Sequence, residues 1–558
     1  MKKLVVLIIS MIYLTSLFSQ ESGLSLYVLH FTDKGINKSA LINPTFYLTE
    51  KSVERRLNHK IPFDQTDIPI NAQYKQEVSK TGAKVLTSSR WFNNVVIEAN
   101  ADMINKISVL PYISNIQPLG NNTQKQVSSS PSEKLLFEGT IITPLTDVTL
   151  KQGTADLYNY GAAFNQINQI RGTYLHNMGY SGQGMTIAVI DAGFNSVDIL
   201  PCFDSLRKNN QIKGSRDFAQ PGNNVYSTAM ASHGTSVLSC MAAYINGQMV
   251  GTAPKADYWL LRSEVGATET ILEEYYWVSA AEFADSVGAD IINSSLGYTT
   301  FPESPAFNHT YADMDGNTTV VTNGADKAAE KGILVVNSAG NDGAKPWKYI
   351  GAPADGDSVF TIGAVTAAGI RAGFSSVGPT SDGRIKPTVA AQGSATAIWS
   401  PTGMVTGSGT SFSSPIMCGM TACLWQAFPG LSNMDIIDLI IASASQANQP
   451  DSLLGYGIPD FQKASSTLSV QNHSIETTIV AYPNPVADKL TLGFPVSIEG
   501  KLKIEIVNLQ GKIVYSNQRN VGSIRCLQIN DIGYLPSGIY LIKVSDHSLN
   551  LSGKIIKI

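Results

Sequence analysis

A serine, a histidine and an aspartate, each set among small residues, are the side chains in this sequence best placed to do chemistry. Ser411 lies in Gly407-Ser-Gly-Thr-Ser411-Phe-Ser-Ser-Pro415. Phe412, Ile416, Met417, Met420 and Leu424 follow at helical spacing, which puts the hydroxyl at the mouth of a helix. Gly409 and Thr410 add little bulk, so a peptide backbone can approach. Helix N-terminal N–H groups face any negative charge that develops there. Upstream, Asp191 ends the apolar run Met185-Thr-Ile-Ala-Val-Ile190, and His233 opens a helix in Ser232-His-Gly-Thr-Ser236. Small-residue turns before helices are common, and the serine run gains its meaning from these two partners.

Together the three segments resemble the subtilisin-like serine peptidases, or subtilases. The aspartate context is Val189-Ile190-Asp191-Ala192-Gly193, and the histidine context is His233-Gly234-Thr235. The serine context is Gly409-Thr410-Ser411-Phe412-Ser413-Ser414-Pro415. The order Asp, His, Ser is that of subtilisin and differs from the chymotrypsin and α/β-hydrolase orders. A serine hydroxyl is a weak nucleophile at neutral pH and needs an adjacent base. His233 is the expected base, with Asp191 fixing its tautomer and stabilising the imidazolium. The other histidines (His30, His59, His176, His309, His473 and His547) lack such a context.

The resemblance implies further roles. Asn341, closing Ile333-Leu-Val-Val-Asn-Ser-Ala-Gly-Asn341, is expected to stabilise the oxyanion together with the Ser411 backbone N–H. Ser295, Leu296 and Gly297, at the end of Asp290-Ile-Ile-Asn-Ser-Ser-Leu-Gly297, are expected to line the substrate cleft, with Gly340 beside Asn341. Phe374-Ser-Ser-Val-Gly-Pro379, Asp382-Gly-Arg384 and Lys386-Pro387 resemble another subtilase stretch. The likeness runs over roughly residues 158–468. Ser236 departs from it where a second histidine is frequent, as do Thr388 and Gln392 where Asp and Pro are frequent. These positions bear on subfamily and not on the chemistry.

At 558 residues the chain exceeds one ordinary domain and can bury a large core. With 43% hydrophobic and 15% charged residues it is globular, and a net charge of -4 without a Lys/Arg cluster leaves no nucleic-acid footprint. Cys202, Cys240, Cys418, Cys423 and Cys526 follow neither a disulfide nor a zinc spacing. Cys240, Cys418 and Cys423 read as small apolar residues on the helices behind the histidine and serine. No cofactor is required. Asp313-Met-Asp-Gly-Asn317 offers oxygen ligands, but a turn before a helix over 318–331 explains it equally well, so calcium has no clear site and no metal residue is assigned.

The elements that must position these residues fall into successive blocks. Residues 1–19 read as a secretory signal, with Lys2 and Lys3 before an apolar run from Leu4 to Leu14 and cleavage expected after Ser19. Residues 20–118 hold strands at 24–31, 94–98 and 112–117 and a helix at 101–110, a small α+β unit. It resembles a subtilase propeptide, which implies a chaperone and inhibitor and a zymogen. A linker and maturation region is expected over 119–157, where Gly120–Pro131 is polar.

The peptidase domain is expected over 158–469. Strands at 185–190, 256–261, 290–294, 333–337 and 359–365 alternate with helices, the pattern of an α/β fold with a mainly parallel sheet covered on both faces. Sites in such folds lie at the carboxyl ends of strands, where Asp191 and Asn341 fall. A linker over 470–476 leads to residues 477–558, whose short alternating strands predict a β-sandwich. This tail resembles the type A C-terminal sorting domain of type IX secretion cargo in Bacteroidetes. The shared features are Tyr482-Pro-Asn-Pro485, Asn508-Leu-Gln-Gly511, Leu535-Pro-Ser-Gly-Ile-Tyr540 and Gly553-Lys-Ile-Ile-Lys557.

The expectation is a monomeric serine endopeptidase acting on proteins or peptides through an acyl-enzyme. Its further partners are its own propeptide and the type IX machinery, and it is secreted or displayed on the cell surface via the periplasm. The rival is a catalytically inactive surface binding or adhesion protein on a protease core. Retention of Asp191, His233, Ser411 and Asn341 together argues against that rival.

Overall fold

The computed structural model describes residues 23–35, 43–121, 143–144, 156–266, 268–302, 304–467, 479–545 and 550–558. The expected signal over 1–19, most of the 119–157 region and the 470–476 linker lie outside the described residues.

Seven parallel strands make the central sheet. Their order is Val389–Gln392, Val359–Val365, Leu334–Ser338, Ile291–Ser294, Thr186–Asp191, Asp257–Arg262 and Ile212–Asp217. Every residue of the first five is buried, which is why their sequences are near-continuous apolar runs and not alternating ones. The helices Leu272–Ser286 and Val320–Glu330 pack together against the sheet, as do His233–Ala242 and Thr410–Ala427. Ile187 and Val189 share one core with Ile416, Met417 and Met420 of the last helix. The five expected strands appear within one residue of their forecast positions. The two edge strands, Ile212–Asp217 and Val389–Gln392, were not foreseen.

The chain divides into two compact units, Met1–Ile36 with Ile70–Gln126, and Asn37–Pro69 with Val127–Ile558. In the first, four antiparallel strands run in the order Lys84–Ser89, Asn94–Ala99, Ser25–Phe31, Ile113–Asn121. Helices Ala72–Lys80 and Ala101–Ser108 accompany them, and Leu29, Phe31, Val78, Val95, Ile97 and Ile107 form the core. This is the expected α+β unit, although the strand Lys84–Ser89 and the helix Ala72–Lys80 were not foreseen and one helix falls elsewhere. The helix Glu50–Asn58 lies between its first strand and first helix in sequence but belongs to the second unit.

The tail forms one five-stranded antiparallel sheet from Val480–Tyr482, Leu490–Asn508, Ile513–Ile529, Gly538–Ser545 and Asn550–Lys557. Short strands were expected, yet two of these run for 19 and 17 residues. The longest changes neighbours along its length. Thr491–Gly493 pair with Val480–Tyr482, whereas Lys503–Asn508 pair with Tyr540–Ser545. Register shifts between Gly493 and Gly500 bend it. Leu492, Phe494, Leu502, Ile504, Ile542 and Val544 thereby close on one core.

Candidate active site

Asp191 is the last residue of its strand and fully buried. Its Oδ1 accepts from the Ala192 N–H at 2.8 Å and from His233 Nδ1 at 2.8 Å, and Oδ2 lies 3.1 Å from the same nitrogen. One glycine permits this contact. A Cβ on Gly234 would stand 2.5 Å from the Gly193 carbonyl oxygen and 3.0 Å from the Asp191 Cβ. The histidine helix, His233–Ala242, therefore abuts the aspartate only because its second residue has no side chain. Arg262, at the end of the adjacent strand, donates from Nε to the Ala192 carbonyl at 3.0 Å and pairs with buried Asp217. It clamps the backbone directly after the aspartate.

Ser411 is the second residue of the helix Thr410–Ala427 and is 8% exposed. The ring of the next residue, Phe412, lies 6.4 Å from the His233 ring, centroid to centroid. Pro415 sits four residues on, inside the helix, and has no N–H to give the Ser411 carbonyl. The Ser295 hydroxyl donates there instead, at 3.0 Å. One residue of the expected cleft is thereby tied to the serine backbone. Ser414 Oγ reaches Asn293 Oδ1 at 3.1 Å, and Asn337 Nδ2 donates to the Leu296 carbonyl at 3.0 Å, fixing the strand behind that cleft. A Cβ on Gly297 would find only the Ala352 carbonyl, at 3.8 Å, so space is left beside it.

Asn341 is held by its oxygen. Oδ1 accepts from the Thr410 N–H at 2.9 Å and from Thr410 Oγ1 at 3.0 Å, while Thr410 Oγ1 accepts from the Gly340 N–H at 3.1 Å. With its carbonyl oxygen engaged, the amide presents Nδ2 as a donor, next to Gly409, where a Cβ would lie 3.6 Å away. Gly340 is left-handed at φ +103°, and a Cβ there would meet Ser376 Oγ at 2.9 Å. In the sequence Thr410 stands out only for its lack of bulk. The structure adds that its hydroxyl ties Asn341 and Gly340 to the serine helix. Arg262 and Asp217 were also missed; a lone arginine closing an apolar strand was the available signal.

Three family models match this chain. Residues 182–457 match the subtilase family, residues 26–134 the Bacteroidota propeptide domain of peptidase S8, and residues 480–558 the secretion system C-terminal sorting domain. Subtilisin of Bacillus pumilus is 30% identical over 283 residues, which cover 50% of this chain and 90% of that protein. The chain belongs to the subtilase family. Subtilisin NAT of Bacillus subtilis subsp. natto is 31% identical over 283 residues, and the chain spans 65% of its length. Among solved structures, MycP1 from Mycobacterium smegmatis is 22% identical, with a TM-score of 0.42, covering 57% of this chain and 86% of that one.

This subtilase keeps its thiols out of the chemistry. Burial pushes Cys240, Cys418 and Cys423 above the ordinary thiol range, so they stay neutral. In the Asp313–Asn317 loop, Asp315 Oδ1 accepts from the N–H groups of Asn317 and Thr318 at 2.8 Å each, and Asp313 Oδ2 accepts from the Thr310 N–H. Both carboxylates thus serve as turn acceptors. Among the described residues no group of three or more His, Cys, Asp or Glu side chains is arranged to hold a metal. Gln392 and Thr388, the departures from family habit, are used locally. Gln392 Oε1 accepts from Asn165, and Thr388 Oγ1 accepts from the Thr361 N–H.

Proposed function

We propose that this chain is a serine endopeptidase made as a zymogen, with Ser411 as nucleophile, His233 as general base and Asp191 as its orienting carboxylate. The observation that carries this reading is the 2.8 Å contact of His233 Nδ1 with buried Asp191, beside a helix that opens on Ser411. Nδ1–H donates to Asp191, which leaves Nε2 as the basic nitrogen. Ser411 Oγ attacks the scissile carbonyl carbon as its proton passes to Nε2. The resulting oxyanion accepts from the Ser411 backbone N–H and Asn341 Nδ2. Collapse breaks the C–N bond, and the leaving amine takes the proton from Nε2. Water then attacks the acyl-enzyme by the same route in reverse and frees Ser411. Ser295, Leu296 and Gly297 on one side and Gly340 on the other receive an extended peptide alongside the Ile291–Ser294 strand.

The maturation cut falls within residues 119–157, and the tail directs the protein outward through the type IX route after export by the 1–19 signal. Support comes from the matches of residues 26–134 to a propeptide domain and of 480–558 to a sorting domain. Incubation of the purified protein with an unfolded protein substrate tests the activity. Internal cleavage products by mass spectrometry are expected from the native chain and none from Ser411→Ala. Turnover by Ser411→Ala at the native rate contradicts the assignment.

A further inference from the structure

Residues 44–68 lie within the propeptide match, yet they fold with the peptidase and the tail. A 3-10 turn at Pro44–Phe46 leads to Thr49, whose side chain caps the helix Glu50–Asn58 and whose N–H donates to the Ser286 carbonyl. From this helix Arg55 and Arg56 reach Asp285, at the last turn of the Leu272–Ser286 helix, with Arg56 Nη2 2.9 Å from Asp285 Oδ2. Arg56 also meets Asp67 at 3.0 Å, and Lys331 meets Asp64 at 3.1 Å and Asp67 at 3.2 Å. Three cations thus face three carboxylates, and Arg56, Asp67 and Asp285 are all 0% exposed. Lys51 adds an ion pair to Asp290 at 2.7 Å and a bond to Thr186 Oγ1 at the start of its strand. This is the amino end of the sheet, opposite the end that carries Asp191.

The other side of the same segment is apolar. Leu48, Val53, Leu57 and Phe63 cluster with Tyr482, Val480 and Cys526 of the tail. The Phe63 and Tyr482 rings meet edge-on at 4.6 Å. Gly493 in the long tail strand has no need of a left-handed backbone, yet a Cβ there would stand 2.1 Å from Leu57 Cδ2. Gly288 and Gly332 make similar room at the base. A Cβ on the first would meet the Ser52 N at 2.8 Å, and one on the second Ile61 Cδ1 at 2.5 Å. The surfaces on both domains are cut to fit this segment.

We propose that residues 44–68 are a clasp that fastens the sorting domain to the base of the peptidase domain, and that departure of the propeptide opens it. The inference rests on the zymogen reading only for the second half. The two faces differ in a way that suits this sequence of events. Asp285, Asp290 and Lys331 rehydrate as ordinary surface charges once the segment leaves, whereas Tyr482, Val480 and Cys526 become a newly exposed apolar patch on the tail. That patch includes the first residue of Tyr482-Pro-Asn-Pro485, so the tail presents a different surface before and after maturation.

Cys526 is half-buried under the clasp, and the other four cysteines are fully buried, which makes alkylation by iodoacetamide a direct readout. In the uncleaved Ser411→Ala chain, Cys526 is expected to react slowly. Adding Leu57→Asp, or Gly493→Ala from the tail side, is expected to speed Cys526 labelling at least tenfold while the other four stay unlabelled. Equal rates in all three chains overturn the clasp. Labelling of all five cysteines in one variant marks it as misfolded, and the other variant then decides. The matured native enzyme, checked by intact mass for loss of residues 44–68, is expected to label at the fast rate. Slow labelling after that loss overturns the opening step. A chain whose mass stays that of the full protein overturns the zymogen reading, and the two variants then decide for or against the clasp.

Discussion

The two ends of the central sheet are built by different means. At the carboxyl end, Asp191, His233, Ser411 and Asn341 are set largely by hydrogen bonds to backbone and side-chain groups and by glycines that let backbones touch, as at Gly234. A buried ion pair, Arg262 with Asp217, clamps the chain after Asp191. At the amino end, Arg55, Arg56 and Lys331 are set by charge against buried Asp285 and Asp67 and against half-exposed Asp64. Contacts of the first kind hold geometry mainly through rigid backbone and not through a web of charges, which suits a site that must admit substrate. A balanced, largely buried cluster of charges is strong only while every member is present. That suits a joint meant to come apart.

The comparison predicts large catalytic effects at one end and large stability effects at the other. Ser411→Ala is expected to cut kcat by about 10⁶-fold, some 8 kcal/mol, a range carried over from a subtilisin. Its melting temperature is expected to stay that of the native zymogen, and a steady-state assay with a melting curve checks both. Asp285→Ala strands Arg55 and Arg56 without their shared carboxylate, which costs about 3–5 kcal/mol. Measured by denaturant unfolding in the Ser411→Ala background, a loss below about 1 kcal/mol would show that the base is hydrated and erase the contrast.

Asn341→Ala is expected to lower kcat by roughly 10²–10³-fold, again a range established on a subtilisin, with little change in KM. Thr410→Val leaves Asn341 its backbone partner and removes the hydroxyl that binds both Asn341 Oδ1 and the Gly340 N–H. A loss of about thirtyfold is expected, the worth of two hydrogen bonds at about 1 kcal/mol each. If the two variants lose equally, Thr410 does more than hold the amide.

His309 supplies the smallest test, away from both ends. Burial lowers its pKa, but the hydrogen bond and charge of buried Glu274 more than offset this and raise it above 6.5. A raised folded-state value means stability that is fully present below pH 6.5 and lost as pH rises through the folded value. The contribution of His309, read as the difference in melting temperature between Ser411→Ala and the same chain carrying His309→Gln, should therefore be largest at acid pH and shrink toward mildly alkaline pH. A difference that does not change with pH would show that His309 gains no proton affinity from Glu274.

Legibility in the sequence followed the same division. The candidate site could be read because each of its residues carries its local context: an apolar strand before Asp191, a Gly after His233, and a Gly-rich turn before Ser411. Buried strands with long apolar runs were placed to within a residue. Ile212-Lys-Gly-Ser-Arg-Asp217 escaped because an edge strand is half-solvated and needs no such run, and Val389–Gln392 because four residues, two of them alanine, make a weak signal. The clasp was invisible for a different reason. Arg55 and Asp285 are 230 residues apart, and a charged helix such as Glu50–Asn58 reads as solvent-facing until its partners are known. The long tail strands were read as short because Gly493 and Gly500 look like interruptions, whereas they only bend the strand.

The central claim is that Ser411 is an activated nucleophile. A fluorophosphonate probe reacts with a serine only when a base and an oxyanion site act on it together. Peptide mapping of the labelled, purified enzyme is predicted to place one adduct per chain on Ser411, with none in His233→Ala under the same exposure. An unlabelled native enzyme that still cleaves peptides, or an adduct on any other residue, would contradict the account.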